Sequence, residues 1–300
     1  MEILCRLFGH SRQAFYGIKK NRDQDHLKEV FVLNLVDETR SEMRCKLGVR
    51  KLQVLLQPKL KAHGIKIGRD QLFTLLKFYG RLLRKRRRKA RTTNSHHWLH
   101  KYPNLIRDLN VLQAHLIWVS DITYIRVQGG FNYLSLITDA YSRKIVGYCL
   151  HTTLEAAGCI IALEMALEQW NPLGDWTLIH HSDKGIQYCS LHYVLMLETR
   201  KIRISMGSSP YENAIAERIN ETVKEEFSAN KIYSNYLEAK SDIDQIVRIY
   251  NERRPHASVD YLTPGQAHDE KGELARRWKS YMPAWKKGLR GNSDEIRPNT

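Results

Sequence analysis

Two β-rich runs, Trp118–Val127 and Phe131–Thr138, flank the glycine pair Gly129-Gly130. Branched and aromatic residues on both sides of a two-glycine break predict an antiparallel hairpin. A third run of the same texture, Lys144–Leu150, follows closely. The pattern then alternates. Leu154–Trp170 reads as a helix with an apolar face of Leu154, Ala157, Ile161, Met165 and Leu167, ended by Pro172 and Gly174. Trp176–His181 reads as a strand, Leu191–Thr199 as a helix and Ile202–Met206 as a strand, and Asn213–Phe227 and Leu237–Asn251 read as helices. Three antiparallel strands followed by alternating helices and strands give the order β-β-β-α-β-α-β-α-α. That order describes an α/β chain with an RNase H-like domain, a mixed five-stranded sheet with flanking helices.

The residues upstream have a different period. Ser11 is placed to cap a short helix through Tyr16. Leu27, Val30, Phe31, Leu35 and Val36 recur at helical spacing, and so do Val49, Leu52, Leu55, Leu56 and Leu60. His63-Gly64 breaks the second series. Asp70 is a candidate N-cap for a helix carrying Leu72, Phe73, Leu75, Leu76 and Tyr79, with Gly80 at its end. Two helices about a glycine turn fit a helix-turn-helix, and they fit a purely structural hairpin equally well. The expected organisation is a helical segment at 1–40 and a helix-turn-helix-like region at 41–90. A linker at 91–115, a catalytic core at 116–270 and a basic tail at 271–300 complete it.

Charge narrows the partner. The 48 lysines and arginines outnumber 32 aspartates and glutamates, a formal net charge of +16. The excess is concentrated in Arg84, Lys85, Arg86, Arg87, Arg88, Lys89 and Arg91, the pattern of a polyanion-binding run, although an import signal or solvated tail has the same composition. The five cysteines form no C-x-x-C pair, which speaks against a disulfide scaffold or zinc ribbon and fits a reducing cytosol. No apolar run reaches the roughly 18 residues of a membrane span, so a cytoplasmic, nucleoid-associated protein without membrane contact is expected.

Within this frame three acidic residues stand out. Asp121 interrupts the apolar run Ile117–Ile125, Asp183 closes Leu178–Ser182, and Glu217 lies on the stretch Asn213–Arg218. A charge among Val119, Ile122 and Ile125 is costly unless metal or hydrogen bonds compensate it. Two strand-borne aspartates facing a helix-borne glutamate suit two Mg²⁺ ions, with Mn²⁺ as a substitute, for phosphodiester chemistry. Asp139 is placed to orient Asp121 or to cap a turn; Glu212 and Glu221 are competing carboxylates. Lys184, Arg218 and Lys224 are candidate DNA contacts near the metals, or members of a solvated basic face. His180-His181 and His96-His97 are adjacent pairs, and adjacent strand residues point to opposite faces, which argues against zinc.

The segments Trp118–Ile125, His180–Tyr188, Ser205-Met206, Tyr211–Arg218 and Tyr250–His256, in that order, resemble the bacterial insertion-sequence transposases of the IS-three family, relatives of retroviral integrases. Leu47–Leu52 also resembles the family's upstream helix-turn-helix. The resemblance covers nearly the whole chain. It implies an integrase core with a D-D-E triad, here Asp121, Asp183 and Glu217. It further implies binding to terminal inverted repeats and target DNA, cleavage of the transposon end by water, and attack of the freed 3′ hydroxyl on another phosphodiester. A homo-oligomer on DNA and an upstream frameshift-partner protein also follow from it. The chain departs from the pattern in three respects: Lys184 stands where the family often has Arg, Glu212 where it often has Asp, and one spacing is shorter. The 33 residues between Asp183 and Glu217 are two fewer than the family's usual spacing, and the loss falls at Gly207–Pro210. The expected function is therefore a Mg²⁺-dependent transposase. A non-catalytic DNA-binding relative acting as repressor or bridge, and a nuclease of RNA–DNA hybrids, are the rival readings.

Overall fold

The computed structural model describes residues 9, 11–83, 98–107, 109–170, 177–207, 210–228 and 231–275. The basic run 84–91, the pair His96-His97, Pro172, Gly174 and Trp176, Ser208-Ser209 and residues 276–300 lie outside them.

Five strands form one sheet: β1 (Ile117–Val127), β2 (Gly130–Asp139), β3 (Ile145–His151), β4 (Ile179–Ser182) and β5 (Arg203–Met206). Their order across the sheet is β3-β2-β1-β4-β5. β1 pairs antiparallel with β2, and β2 with β3; β4 lies parallel to β1, and β5 parallel to β4. The hairpin forms at Gly129-Gly130 as its sequence predicts. β1 is central, so its residues are enclosed on both faces. Trp118 and Ile122 face a cluster with α4 (Ala156–Gln169) and α5 (Leu191–Thr199). Val119 and Ile125 face the other side, towards α6 (Ala214–Thr222) and α7 (Tyr236–Glu252). A short helix α8 (Pro264–Asp269), capped by the Thr263 side chain, follows α7 and is not apparent in the apolar pattern. This is the RNase H-like architecture.

The predicted face of α4 is right only in part: Leu167 is buried, and Ala157 and Met165 are half-buried. Leu154 and Ile161 are exposed, and the buried positions are Gly158, Cys159, Ala162, Leu163, Ala166 and Leu167. Small residues let the helix backbone approach the sheet. A Cβ on Gly147 of β3 would stand 2.0 Å from the Ala162 carbonyl oxygen. The helix expected over Asn213–Phe227 also differs. It is α-helical to Thr222 and then widens into a π-turn at Val223–Phe227, where the Ser228 N–H reaches the Val223 carbonyl at 3.0 Å.

Upstream, α1 is a single helix from Arg12 to Glu42, so Ser11 begins a long element rather than a short one. α2 (Val49–Ala62) and α3 (Arg69–Phe78) follow. Asp70 is not the N-cap of α3. That position is Gly68, whose N–H donates to Gln71 Oε1 at 2.9 Å, and Asp70 sits in the first turn paired with Arg69. Val32, Val36, Leu47, Leu52, Leu56, Leu72 and Leu76 pack in one cluster that also takes in Ile249 of α7. The helical region is thereby joined to the sheet domain, and Lys46 N–H to Glu226 carbonyl, at 2.7 Å, bridges the same junction.

Candidate active site

The period of a strand places the two aspartates. Asp121 is two residues beyond Val119, so it shares the face that packs under α6. β1 and β4 pair with Val119 opposite His181. Carrying that parallel register on by two residues sets Asp121 level with Asp183, just past the end of β4. His181 then lies on the same side and His180 on the other. His180 Nε2 meets the Tyr193 hydroxyl at 2.9 Å, and His181 Nδ1 meets the Ser205 hydroxyl at 2.8 Å, so each ring is used separately inside the core.

Each carboxylate is held by a local device. Asp183 Oδ1 accepts the Gly185 N–H at 3.0 Å, closing a tight turn. A Cβ at Gly185 would sit 2.9 Å from that oxygen, which explains a glycine two residues after the aspartate. Asp121 Oδ1 accepts the Ile122 N–H at 2.9 Å, and its Oδ2 accepts the Asn220 side-chain amide at 2.9 Å. Asn213, at the N-cap of α6, gives its amide to the Ser120 carbonyl at 2.9 Å. Two asparagines two turns apart thus fasten α6 to β1, and Ala216 packs between them against Ile117 and Val119. Glu217 lies in the first turn of α6 and is exposed. The positive end of the helix dipole favours a carboxylate there.

The electrostatics follow from this crowding. Burial first, and the Asp183 carboxylate second, push the Asp121 carboxyl up to about 7; Glu217 adds to the rise, while the Asn220 and Ile122 donors oppose it. Asp183 and Glu217 therefore both act on Asp121. Among the described residues, no three His, Cys, Asp or Glu side chains converge closely enough to hold one ion as they stand. The donor set still fits a hard divalent cation in kind. It is all oxygen, and the repulsion raising Asp121 is what such a cation relieves.

The other predicted residues separate. Asp139 does not orient Asp121. It is fully buried and caps the β2–β3 turn, accepting the N–H groups of Tyr141, Ser142 and His115 at 3.1, 2.8 and 2.7 Å. Glu212 pairs with Arg107 at 2.7 Å, and Glu221 with Arg218 at 3.0 Å. Lys184 is half-buried on the Asp183–Gly185 turn, and Lys224 is half-buried in the π-turn. Residues 84–89 and 91 lie outside the described residues.

Two integrase core domain models match the chain, over residues 112–211 and 199–264. The insertion element IS600 31 kDa protein of Shigella sonnei is 34% identical over 280 residues, which is 91% of this chain and all of that protein. The transposase for insertion sequence element IS629, also of Shigella sonnei, is 32% identical over 73% of each chain. The chain belongs to the bacterial insertion-sequence transposases of the IS-three family. The transposase InsF for insertion sequence IS3fB of Escherichia coli K12 is a further relative, 26% identical over 90% of this chain and 94% of its own. Among solved structures, the HTLV-2 integrase catalytic core domain in complex with magnesium aligns at 15% identity and a TM-score of 0.40. It covers 53% of this chain and 99% of that one.

Membership makes this a DNA transposition protein with the polynucleotidyl transferase activity of its family, and the repressor reading is not favoured. Asn213 and Asn220 are the site residues that sequence reading missed. The available signal was a pair of asparagines on a helix that otherwise buries Ala216 and Ile219, and both are themselves buried. Buried amides need partners, and the facing strand carries the acid.

Proposed function

We propose that the transposase cuts and joins DNA at Asp121, Asp183 and Glu217, with Mg²⁺ as the physiological ion and Mn²⁺ as a substitute. The observation that supports this reading best is the strand register that brings Asp121 level with Asp183 beneath the helix bearing Glu217, where burial and the two neighbouring carboxylates push the Asp121 carboxyl up. A site that gathers negative charge in this way is built for cations. Bound there, Mg²⁺ supplies Lewis acidity at the phosphate and lowers the pKa of a nearby water. The protein's part is positioning. Asn220 fixes one Asp121 oxygen, the Gly185 N–H fixes one Asp183 oxygen, and Asn213 sets the start of the helix that carries Glu217. Glu217, exposed at the mouth, is the member free to close on the phosphate as DNA arrives.

The proposed course is cleavage by water at a terminal inverted repeat, then attack of the freed 3′ hydroxyl on a second phosphodiester. Lys184, Arg218 and Lys224 contact the DNA backbone beside the carboxylates in this reading. The basic residues Arg84, Lys85, Arg86, Arg87, Arg88, Lys89 and Arg91 hold phosphates further along, supplying affinity rather than base reading. The α2–α3 pair lies upstream of that run and is the proposed reader of the repeat. Pairing two ends calls for at least two protomers on DNA. The comparisons give no support to an upstream frameshift partner.

The test is to mix the purified protein with labelled duplex bearing the element's terminal repeats. Nicked ends and joined products should form with Mg²⁺, vanish with a chelator, and be absent for Asp183→Asn at unchanged DNA affinity. Tight binding with no product under any metal would overturn the catalytic reading.

A further inference from the structure

α6 is fastened to β1, the strand of Asp121, by the amides of Asn213 and Asn220. One tie to β4, the strand that leads to Asp183, is unfinished. His181 stands there, two residues before Asp183 and on the same face. Its ring is fully buried. Burial pushes the imidazole down to about 4, while the Glu212 backbone and carboxylate oppose the drop. The ring is therefore neutral at ordinary pH and carries a single N–H.

The neighbours say which nitrogen holds that hydrogen. The Leu105 N–H donates to Ser205 Oγ at 2.8 Å. Among the described residues the Ser205 hydroxyl has one acceptor for its own hydrogen, His181 Nδ1 at 2.8 Å. Nδ1 therefore accepts, and the ring hydrogen sits on Nε2. Nε2 is buried and has no hydrogen-bond partner among the described residues. The Glu212 backbone lies beside it, near enough to act on the ring and short of a hydrogen bond. A buried donor left in this state is costly, and completing its bond is favourable.

Glu212 belongs to the turn Pro210–Asn213 that leads into α6. A Cβ on Gly207 would stand 3.1 Å from the Glu212 Cβ and 3.2 Å from His181 Nε2, so the shortened stretch brings Gly207, Glu212 and the ring together. A small shift of the turn towards β4 makes the missing bond and carries the start of α6, with Glu217, towards the strand of Asp183. The carboxylates need such a shift, because no three of them converge on one ion among the described residues. We propose that His181 is a positioning residue for Glu217: its Nε2–H donates to the Glu212 carbonyl as the carboxylates gather around a cation, and this bond seats α6 on β4. The proposal rests on Asp121, Asp183 and Glu217 as the reacting carboxylates.

The test uses the full chain, a labelled terminal-repeat duplex and Mg²⁺ under single turnover. His181→Asn keeps an acceptor for the Ser205 hydroxyl and has nothing in the place of Nε2, whereas His181→Gln returns a donor there. His181→Asn should cut about 100-fold more slowly, the cost of a misplacement of about 1 Å. His181→Gln should stay within about fivefold of wild type, and DNA affinity should not change in either. Gly207→Ala leaves the ring whole and wedges Glu212 away from it. It should lose rate as His181→Asn does, and a wild-type rate there overturns the proposal even if the ring substitutions unfold the chain. Hydrogen exchange across residues 212–217, read by mass spectrometry on DNA-free protein, gives a signal apart from turnover. Mg²⁺ should slow that exchange in wild type and His181→Gln and leave it unchanged in His181→Asn. Equal loss of rate in both ring substitutions assigns His181 to the core alone and overturns the proposal, as does equal protection in all three proteins. No product from wild type under any metal marks failure of the carboxylate reading; product from wild type and His181→Asn alike marks failure of this proposal only.

Discussion

Asn220 stands one turn beyond Glu217 and gives its amide to Asp121, so a single side chain ties the helix-borne acid to the strand-borne one. Asn220→Ala should lower the cleavage rate about 10–100-fold, the usual cost of losing a residue that orients a metal-binding group. Affinity for uncut DNA should stay the same, as read by anisotropy beside single-turnover kinetics; a weakened affinity with an intact rate would assign Asn220 to DNA binding instead. Asp121 itself carries a pH signature. Its folded carboxyl is raised from 3.8 to about 7, so the folded chain holds a proton that the unfolded chain releases. Its contribution to stability is full below pH 3.8 and is lost as pH rises through 7. Asp121→Asn should therefore raise Tm of the metal-free protein at pH 8 and leave it unmoved near pH 4. An equal shift at both values would refute the crowding described at the site. Asp121 stood out in the sequence because an acid within an apolar strand is costly, and Asp183 and Glu217 were grouped with it by their joint placement. Asn220 was not, because its partner lies 99 residues away and an asparagine on a helix has many uses.

At the scale of elements, β1 and α6 fix the site, and α4 packs on β3 and β2 of the same sheet. The strands and the order of helices were readable from period and turn residues. The buried face of α4 was not, because the reading sought large apolar side chains and the interface is made by small ones. Gly147 shows how tight that contact is. Gly147→Ala drives a Cβ towards the backbone oxygen of Ala162, a group that no rotamer change can move. We expect a loss of about 3 kcal/mol or more in urea unfolding. A loss under about 1 kcal/mol would mean that α4 slides freely on the sheet. The π-turn after α6 was hidden for a different reason. A helix that widens by one residue keeps its apolar composition, and only the hydrogen bonds reveal it. It carries Glu226, which meets Lys51 and Arg254 together.

For the whole molecule, one core joins the upstream helices to the sheet domain through Ile249, and the net charge of +16 sets its partner. If the run 84–91 makes about five phosphate contacts, log affinity for DNA should fall with log salt at a slope near −4 to −5. A slope near zero would remove the run from the interface. The fold was legible at this scale because the change from helical to alternating texture coincides with the start of the sheet. The junction was not, since it depends on single residues such as Lys46 and Glu226 meeting across the chain. The central claim is that three carboxylates act as one site, and Glu217 tests it hardest. It is exposed, and it follows the shortened stretch at Gly207–Pro210. The decisive measurement is the single-turnover rate of end cleavage by Glu217→Gln with saturating Mg²⁺. A loss of about 10³-fold or more at unchanged DNA affinity is predicted, the scale of removing charge stabilisation at the reacting phosphate; a rate within about tenfold of wild type would contradict the three-carboxylate site.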